Sequence, residues 1–446
     1  MSSAAQLVAE VADPPALAPP LQPGSLADTG LATDAIDALL LKTLALGEAA
    51  GTTLAERLRL PYALLETRIE RARAERLVEV RSAGGTGTAG YRYALTDGGH
   101  ERARRCLGVC AYIGPAPVPL DQYLAQVRRQ ADVQVEIDRE RVLEGLHPLV
   151  LSRQTVDQLG PALSARRALF LYGPPGNGKS MIGSAIGRVL GGDVWVPHAL
   201  DIDGQVVTVF DPVTHEAAPD DGPQALVASV LSSDRRWVRV RRPVITVGGE
   251  LTLEMLDLAH NAASGVYEAP VQLKANGGVL IIDDFGRQRV AARDLLNRWI
   301  VPLESRVDYL RLQTGRAFEV PFDVLAVFAT NLSPEKLADE AFLRRIPYKV
   351  LAKNPTVDEY RAIFAQTCFD HGLVYNPALV DHLRSTQYEP RGLEMRGCHP
   401  RDLITQVLNL CRYRGRPPAV TLDLLDEACA SYFLDDRAGG SEAAGA

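Results

Sequence analysis

The sequence predicts an α/β protein: a P-loop parallel sheet flanked by helices, with a helical C-terminal region and an N-terminal winged helix-turn-helix. Three observations carry this. LFLYGPPGNGKSMIGSAI, Leu169 to Ile186, runs from an apolar strand through a Gly/Pro loop into a helix. Two further apolar runs end in polar residues: GGVLIIDDFG closes on Asp283 and Asp284, and VLAVFATN closes on Asn331. Ahead of them, residues 33–110 read helix, helix, helix, hairpin.

At 446 residues the chain is long enough for two or three domains, and its 46% hydrophobic content supplies real cores. A net charge of -7 excludes a coat of nucleic acid over the whole surface but not a local basic patch. The six cysteines are scattered and no pair has zinc-finger spacing, so buried reduced thiols are expected, with Cys106-x-x-x-Cys110 left open as a metal pair. The N-terminus has no basic start followed by an apolar core, and no apolar run approaches membrane-spanning length. Both predict a cytoplasmic protein without a membrane partner.

Residues 1–30 are rich in Ala and Pro and are expected to be disordered. The domain at 31–112 opens with a helix over Ala35 to Leu46. TTLAERLRL follows as a second helix capped by Thr52 or Thr53, and Pro61 opens a third, PYALLETRIERARAERL. LVEVRS and YRYALT are strands joined by a glycine-rich turn. This order, with the LTDGG after the second strand, resembles the winged-helix domains of bacterial regulators. Twelve basic against ten acidic residues over 33–110 is a thin excess for a DNA reader. Arg68, Arg71 and Arg73 on the third helix alternate with Glu66, Glu70 and Glu75. DNA binding and protein docking both stay open for this domain. Pro115, Pro117 and Pro119 mark a linker, and residues 113–146 hold it together with a polar helix.

The nucleotide-binding region is placed at 147–353. Its loop has the pattern G-x-x-x-x-G-K-S, with Gly173, Gly178, Lys179 and Ser180 at the fixed positions and Pro174, Pro175, Gly176 and Asn177 between, and the whole run from Gly173 to Met181 is expected to bind the nucleotide. Glycines let the backbone curl so that successive N–H groups face one concavity, and the helix starting near Met181 turns its positive end to the same anion. Lys179 is expected to reach the β- and γ-phosphates of ATP, and Ser180 to hold Mg²⁺. Val279 to Ile282 read as a strand buried on both faces, and ligands bind at the carboxyl ends of such strands. Asp283 there orients Mg²⁺, and Asp284 polarises the attacking water. Taken alone, the pair is also a turn or helix cap. Asn331 holds the lytic water or a γ-phosphate oxygen, although an Asn at a strand end is commonly a turn residue.

Strand, P-loop, acidic strand, strand-Asn is the order of the AAA+ ATPases, which the chain resembles over residues 147–434. The resemblance implies a helical lid at 354–434 and a ring-forming homo-oligomer, a hexamer by family habit, while the closing residues DDRAGGSEAAGA, 435–446, read as a disordered tail. AFLRRIPYKV is similar to the segment that carries an arginine finger, so Arg344 or Arg345 would reach a neighbouring subunit's γ-phosphate. A surface ion pair is the plainer role for either. CHPRDLI is similar to the start of the sensor-2 helix, which puts Arg401 over the same phosphate. A guanidinium stays charged and forks onto phosphate oxygens, which suits both tasks.

Two departures stand out. The second acidic position is Asp284, where the family prefers glutamate, so hydrolysis is expected to be slow or altered in geometry. SRVDYLRLQTGRAFEVPFDV reads strand, turn at Gly315, strand, and resembles the pre-sensor-1 hairpin of the branch that includes MoxR-like ATPases and the activators of the alternative sigma factor. The loop by which those activators touch sigma is replaced here by SGVYEAPVQLKANGG, Ser264 to Gly278, which speaks against that activity.

Between 200 and 250, a hairpin is expected around Gly204, with a turn near Pro212. DRRWVRVRRPVITVGGE sets five arginines around Trp237, as a solvated edge strand or as a basic, aromatic surface for nucleic acid or a partner. The implied function is an ATPase that binds and hydrolyses Mg-ATP at subunit interfaces to remodel or regulate a macromolecular partner, a protein client among them. The alternative is an ATP-controlled DNA-binding switch acting through the winged helix. A monomeric small-molecule kinase is a weaker third, since it does not need the Arg344, Arg345 and Arg401 set.

Overall fold

The computed structural model describes residues 17–84, 87–133, 136–219, 233–337 and 340–433. The expected tail at 435–446 and the first sixteen residues of the expected N-terminal tail lie outside the described residues.

The fold is α/β, organised on a five-stranded sheet. In chain order its strands are β1 (Leu169–Tyr172), β2 (Val244–Val247), β3 (Val279–Ile282), β4 (Leu325–Thr330) and β5 (Tyr348–Leu351), and their spatial order is β2-β3-β4-β1-β5. Val244 pairs with Val279 and Val247 with Ile282 in parallel register. Val327 and Tyr348 both pair with Leu169, parallel, on the two sides of β1. All of β3 and β4 is buried. A strand covered on both faces has no solvent side to need polar residues, which is why these runs are uninterruptedly apolar. The carboxyl ends of β1, β4 and β3 are where Gly173, Asn331 and Asp283 follow.

The chain divides into two compact units. The first comprises Met1–Glu136, Leu190–Ile282 and Arg287–Ala326. It opens with helices Thr33–Leu44, Gly51–Leu58 and Tyr62–Ala74, and the antiparallel strands Val78–Ser82 and Arg92–Leu95. Ala49–Ala50 adds a third strand, and helix Asp97–Val109 follows. Ile36, Leu40, Leu54, Leu58, Leu65, Ile69 and Tyr93 form a solvent-free core. Neither Thr52 nor Thr53 caps the second helix. It begins at Gly51 after Ala50, and a Cβ on Gly51 would lie 2.4 Å from the Tyr62 ring, so close packing rather than a cap sets this start. The third helix turns Arg68 inward onto Asp37, with Nε 2.7 Å from Oδ1, while Arg71 pairs with Glu75 and Arg73 with Glu70 along the helix surface.

The expected linker is part of a sheet. Val118–Pro119 runs parallel to Ala199–Ile202, which forms a hairpin with Gln205–Thr208 around Asp203 and Gly204. The polar helix expected after it is two helices, Leu120–Asp132 and Arg139–Leu146.

Trp237–Arg241 pairs with Asp193–Pro197, and the expectation of a solvated strand holds for Arg235 and Arg241 only. Trp237 is buried and stacks on Tyr123, with ring centroids 6.3 Å apart. Arg236 is 1% exposed. Its Nη2 donates to Asp234 Oδ2 at 2.8 Å and to Gln122 Oε1 at 3.0 Å. Its Nη1 donates to the carbonyls of Thr29 at 2.9 Å and Pro117 at 3.3 Å. The Asp234 N–H donates to Pro20 O at 2.7 Å, and Leu21 bridges to Ser233. Residues 17–30, expected as disordered tail, therefore have structure. Their order comes from backbone carbonyls that satisfy a buried guanidinium, which composition does not register.

The second unit comprises Ile137–Val189, Asp283–Gly286 and Val327–Ala446. Its C-terminal helices, Val357–Asp370, Pro377–Leu383, His399–Tyr413 and Leu422–Tyr432, bury Tyr360, Phe364, Leu383, Leu403, Ile404, Val407 and Leu425 completely. Thr356 and Glu359 form a capping box at the first of them, and Asn376 and Thr421 cap the second and fourth.

Arg236→Met strands the buried Asp234 carboxylate without its cation. The substitution is expected to cost about 3–5 kcal/mol in urea unfolding followed by tryptophan fluorescence, whereas Asp234→Leu combined with Arg236→Met is expected to recover much of that loss. A midpoint unchanged by Arg236→Met contradicts the role given to this pair.

Candidate functional site

The loop after β1 is set by three glycines with positive φ: Gly173 at 139°, Gly176 at 83° and Gly178 at 71°. At Gly173 a Cβ would come within 2.4 Å of Ala352 O, so the backbone there runs against the end of β5, where Ala352 N–H donates to Tyr172 O at 2.8 Å. The curl delivers the chain into helix Lys179–Leu190 with its N-terminal amides at the loop. Lys179 is buried and its Nζ donates to Gly173 O at 3.0 Å and Pro174 O at 2.9 Å. Burial holds the ammonium below its ordinary pKa, and Asp283 and Asp284 oppose that shift. A desolvated cation at the mouth of such a loop gains most from an anionic partner.

Ser180 Oγ donates to Asp283 Oδ2 at 2.5 Å, and Asp283 Oδ1 accepts the Asp284 N–H at 2.9 Å. Asp284 has φ 48°, a left-handed conformation that Asp tolerates better than most residues. Its Oδ1 accepts from Asn331 Nδ2 at 3.2 Å. Beneath this turn Phe285 N–H donates to Ala329 O at 2.7 Å, and Thr330 Oγ1 donates to Phe285 O at 2.8 Å. The rings of Phe170, Phe285 and Phe328 meet with centroids 5.1–6.0 Å apart. The floor is thus rigid and dry while the carboxylates above it reach solvent.

Lys179, Ser180, Asp283, Asp284 and Asn331 are therefore held at one place by loop and strand ends. A hydroxyl and a carboxylate in contact are hard oxygen donors of the kind Mg²⁺ takes, and Mg²⁺ fills its remaining positions with water and substrate phosphates. This donor set fits that ion beside a phosphate-binding loop. Among the described residues no group of three or more His, Cys, Asp or Glu could hold a metal, so Cys106 and Cys110 are not part of such a group; the expected burial of the cysteines holds for Cys368, Cys411 and Cys429, while Cys106, Cys110 and Cys398 are half-buried. Pro174 and Pro175 lie within the loop, and Met181, in the first turn of the helix, is 52% exposed.

The arginines sit differently. Arg344 is exposed and Arg345 half-buried in the turn after helix Glu340–Leu343. Arg401 lies in the first turn of helix His399–Tyr413 and pairs there with Asp402, Nη2 to Oδ1 at 3.1 Å. The segment just before that helix touches the phosphate loop. Cys398 N–H donates to Gly176 O at 2.8 Å, and Gly397 N–H donates to Asn177 Oδ1 at 3.1 Å. A Cβ on Gly176 would lie 2.7 Å from Cys398 Sγ and 3.5 Å from Arg396 Cδ. Asn354, Arg396 and Gly397 were not singled out by sequence. Their one visible signal is a glycine placed four residues ahead of Arg401.

Residues 356–431 match the family model of a domain of unknown function (DUF8689), which covers only the C-terminal helices. No curated protein matches the chain. Among solved structures it is similar to NtrX from Brucella abortus in complex with ATP, at 16% identity over 77% of this chain and 66% of that one, with a TM-score of 0.38. It is also similar to the RuvB Holliday junction branch migration motor of Thermotoga maritima, at 15% identity over 72% of this chain and 74% of that one, with a TM-score of 0.36. The chain thus spans slightly less than two thirds of the NtrX chain. Likenesses this distant decide neither fold nor activity; strand order and loop chemistry carry the reading of this chain.

At the root of the Arg401 helix, His399 is buried, and its Nδ1 lies 2.8 Å from Tyr388 Oη and accepts the Arg396 N–H at 3.3 Å. Burial pushes this imidazole down to about 4, with nearby Arg396 adding to the effect. The unfolded chain takes up that proton near pH 6.5, so the stability is complete above about pH 6.5 and is lost as pH falls toward 4. His399→Gln is expected to flatten the fall in melting temperature over that window relative to the parent, measured by circular dichroism. Parallel curves for the two proteins contradict the assignment.

Proposed function

We propose that the chain is an ATPase of the AAA+ type, which binds Mg-ATP at the Gly173–Ser180 loop and hydrolyses it to remodel or regulate a macromolecular partner. The observation that carries this is the single hydrogen-bonded cluster that joins Ser180 to Asp283 and Asp284 to Asn331 at the lip of a Lys179-bearing loop. Loop amides and the helix N-terminus bind the phosphates, and Lys179 exchanges its two carbonyl acceptors for β- and γ-phosphate oxygens. Ser180 and Asp283 hold Mg²⁺, which supplies neutralisation of the phosphate charge. Asp284 takes the proton of the water that attacks the γ-phosphorus as ADP leaves, and Asn331 fixes that carboxylate and the water beside it. With one methylene fewer than glutamate, Asp284 works at shorter reach, and its left-handed turn and Asn331 contact give it a fixed position.

The exposed Arg344 and its neighbour Arg345 are the candidates for a finger reaching a second copy of the chain in a homo-oligomer, a hexamer by family resemblance. Arg401 serves as the lid arginine, with the C-terminal helices as lid. Val307–Arg311 pairs antiparallel with Ala317–Pro321 around Gly315 at φ 89°, which supports the pre-sensor-1 hairpin of the MoxR-like branch. Three helices and a three-stranded sheet support the winged-helix reading of the N-terminal region. With Arg68 consumed by Asp37, and Arg71 and Arg73 by their own helix, a protein partner in a cytoplasmic setting is favoured over DNA, and the motor over the DNA-binding switch.

Lys179→Ala is expected to abolish ATP binding in calorimetry while leaving the circular dichroism unchanged. Asp284→Asn is expected to keep binding and to lower turnover by about 10²-fold or more. A Lys179→Ala protein that binds ATP like the parent overturns the proposal.

The shared site has its own test. Turnover per chain is expected to rise with protein concentration, and Arg344→Ala or Arg345→Ala to remove about 10³-fold or more of it. Mixing that variant with Lys179→Ala should restore part of the activity, because some interfaces then pair an intact lysine with an intact arginine. No recovery with either arginine, together with concentration-independent turnover, contradicts a site built between subunits.

A further inference from the structure

The phosphate loop is sewn to the segment that leads into the Arg401 helix, by one backbone hydrogen bond and by one side chain, Asn177. Asn177 is 9% exposed, and both polar atoms of its side chain are engaged. Its Oδ1 accepts the Gly397 N–H at 3.1 Å. Its Nδ2 donates to Asn354 Oδ1 at 2.7 Å. Asn354 Nδ2 in turn donates to Glu394 Oε2 at 2.6 Å. The direction of every bond is forced. A backbone N–H can only donate, so Oδ1 of Asn177 must face Gly397, and an ionised carboxylate can only accept, so Nδ2 of Asn354 must face Glu394. The chain of donors and acceptors closes in one sense only.

Three further contacts hold the same join. Cys398 N–H donates to Gly176 O at 2.8 Å. The missing side chain at Gly176 leaves room for Cys398 Sγ, 2.7 Å from where a Cβ would stand. Gly397 lies against the loop at ordinary contact distance, with Gly176 O 3.4 Å from its absent Cβ. The join thus meets the loop at Gly176, and the Asn177 side chain spans it. Gly397 and Cys398 immediately precede the helix whose first turn carries Arg401. A shift of the loop backbone at 176–177 therefore moves the root of that helix.

We propose that Asn177 is a positioning residue which, with Asn354, sets the Arg401 helix by the conformation of the phosphate loop, so that phosphate bound in the loop is read out directly as lid position. This rests on the ATPase reading above. Asn177 acts with its side chain turned away from the concavity, through Gly397 and Asn354, while its own backbone belongs to the phosphate cradle. Asn354 is the cleaner handle, because it lies outside the loop and its removal leaves every phosphate-binding group in place.

The experiment compares the full-length parent, Asn354→Ala, Arg401→Ala and the double variant. Amide hydrogen exchange over residues 394–402 is measured with and without Mg-ATP, alongside ATP affinity and turnover. In the parent, ATP is expected to slow exchange in this segment. In Asn354→Ala that slowing should shrink by about 5- to 10-fold, the scale of one lost hydrogen bond, with ATP affinity within about threefold of the parent. Turnover should fall by about tenfold or more, because the arginine is displaced rather than removed. The double variant should be no slower than Arg401→Ala alone, since both changes disable one function. Undiminished protection in Asn354→Ala overturns the proposal, as does a double variant whose losses multiply. Should Lys179→Ala bind ATP like the parent, the ATPase reading fails instead. Exchange at 394–402 without nucleotide, which Asn354→Ala must still accelerate, then tests the asparagine contact by itself.

Discussion

The hydrogen bond from Ser180 to Asp283 is the constraint on which the rest of the site depends. Its two ends belong to strands that are not neighbours: Ser180 follows β1, Asp283 follows β3, and β4 lies between them in the sheet. Strands sit about 4.8 Å apart, so the two ends start on the order of 10 Å from each other. The loop and the first turn of the helix after it carry Ser180 Oγ across that distance to Asp283 Oδ2. The glycines at 173, 176 and 178 permit the curl, and the close pass of Gly173 over Ala352 fixes where it starts. Asn331, at the end of β4, donates to Asp284 beside it. This closure gathers residues separated by as many as 152 positions in the chain, from Lys179 to Asn331.

The electrostatics follow from the same closure. Lys179 is buried by the loop it belongs to, and the two aspartates that oppose the shift in its pKa are those held by Ser180 and Asn331. The aromatic floor of Phe170, Phe285 and Phe328 keeps water out from below. Charge is therefore concentrated on one side of a dry layer, where an anion with its own counter-cation completes it.

Much of this was legible in the sequence, and the reasons are local. A P-loop is read from adjacent residues, and uninterrupted apolar runs identify doubly covered strands, so β1, β3, β4 and the polar residues that end them were placed without coordinates. What escaped depended on side chains meeting across long separations. Arg236 looked like one of five arginines on a solvated strand, and nothing in DRRWVRVRRP distinguishes it. Its burial follows from carbonyls at Thr29 and Pro117 that composition assigns to a tail and a linker. Arg68 reads as one of three arginines alternating with glutamates on the third helix, open to DNA or protein, and its partner Asp37 lies two helices earlier. Asn177 reads only as one of the nucleotide-binding loop residues, because the loop pattern is silent about what the side chains between its fixed positions touch, here Gly397 and Asn354.

Electron paramagnetic resonance with Mn²⁺ in place of Mg²⁺ tests the central claim most directly, since it counts the cation held beside a bound nucleotide. Full-length protein is titrated with Mn-ATP, with and without Ser180→Ala and Asp283→Asn. The account predicts one tightly held Mn²⁺ per chain that appears only with nucleotide, shows coupling to phosphate phosphorus, and is lost or strongly weakened in either variant. Mn²⁺ bound equally well without ATP, or retained unchanged when both Ser180 and Asp283 are replaced, contradicts it.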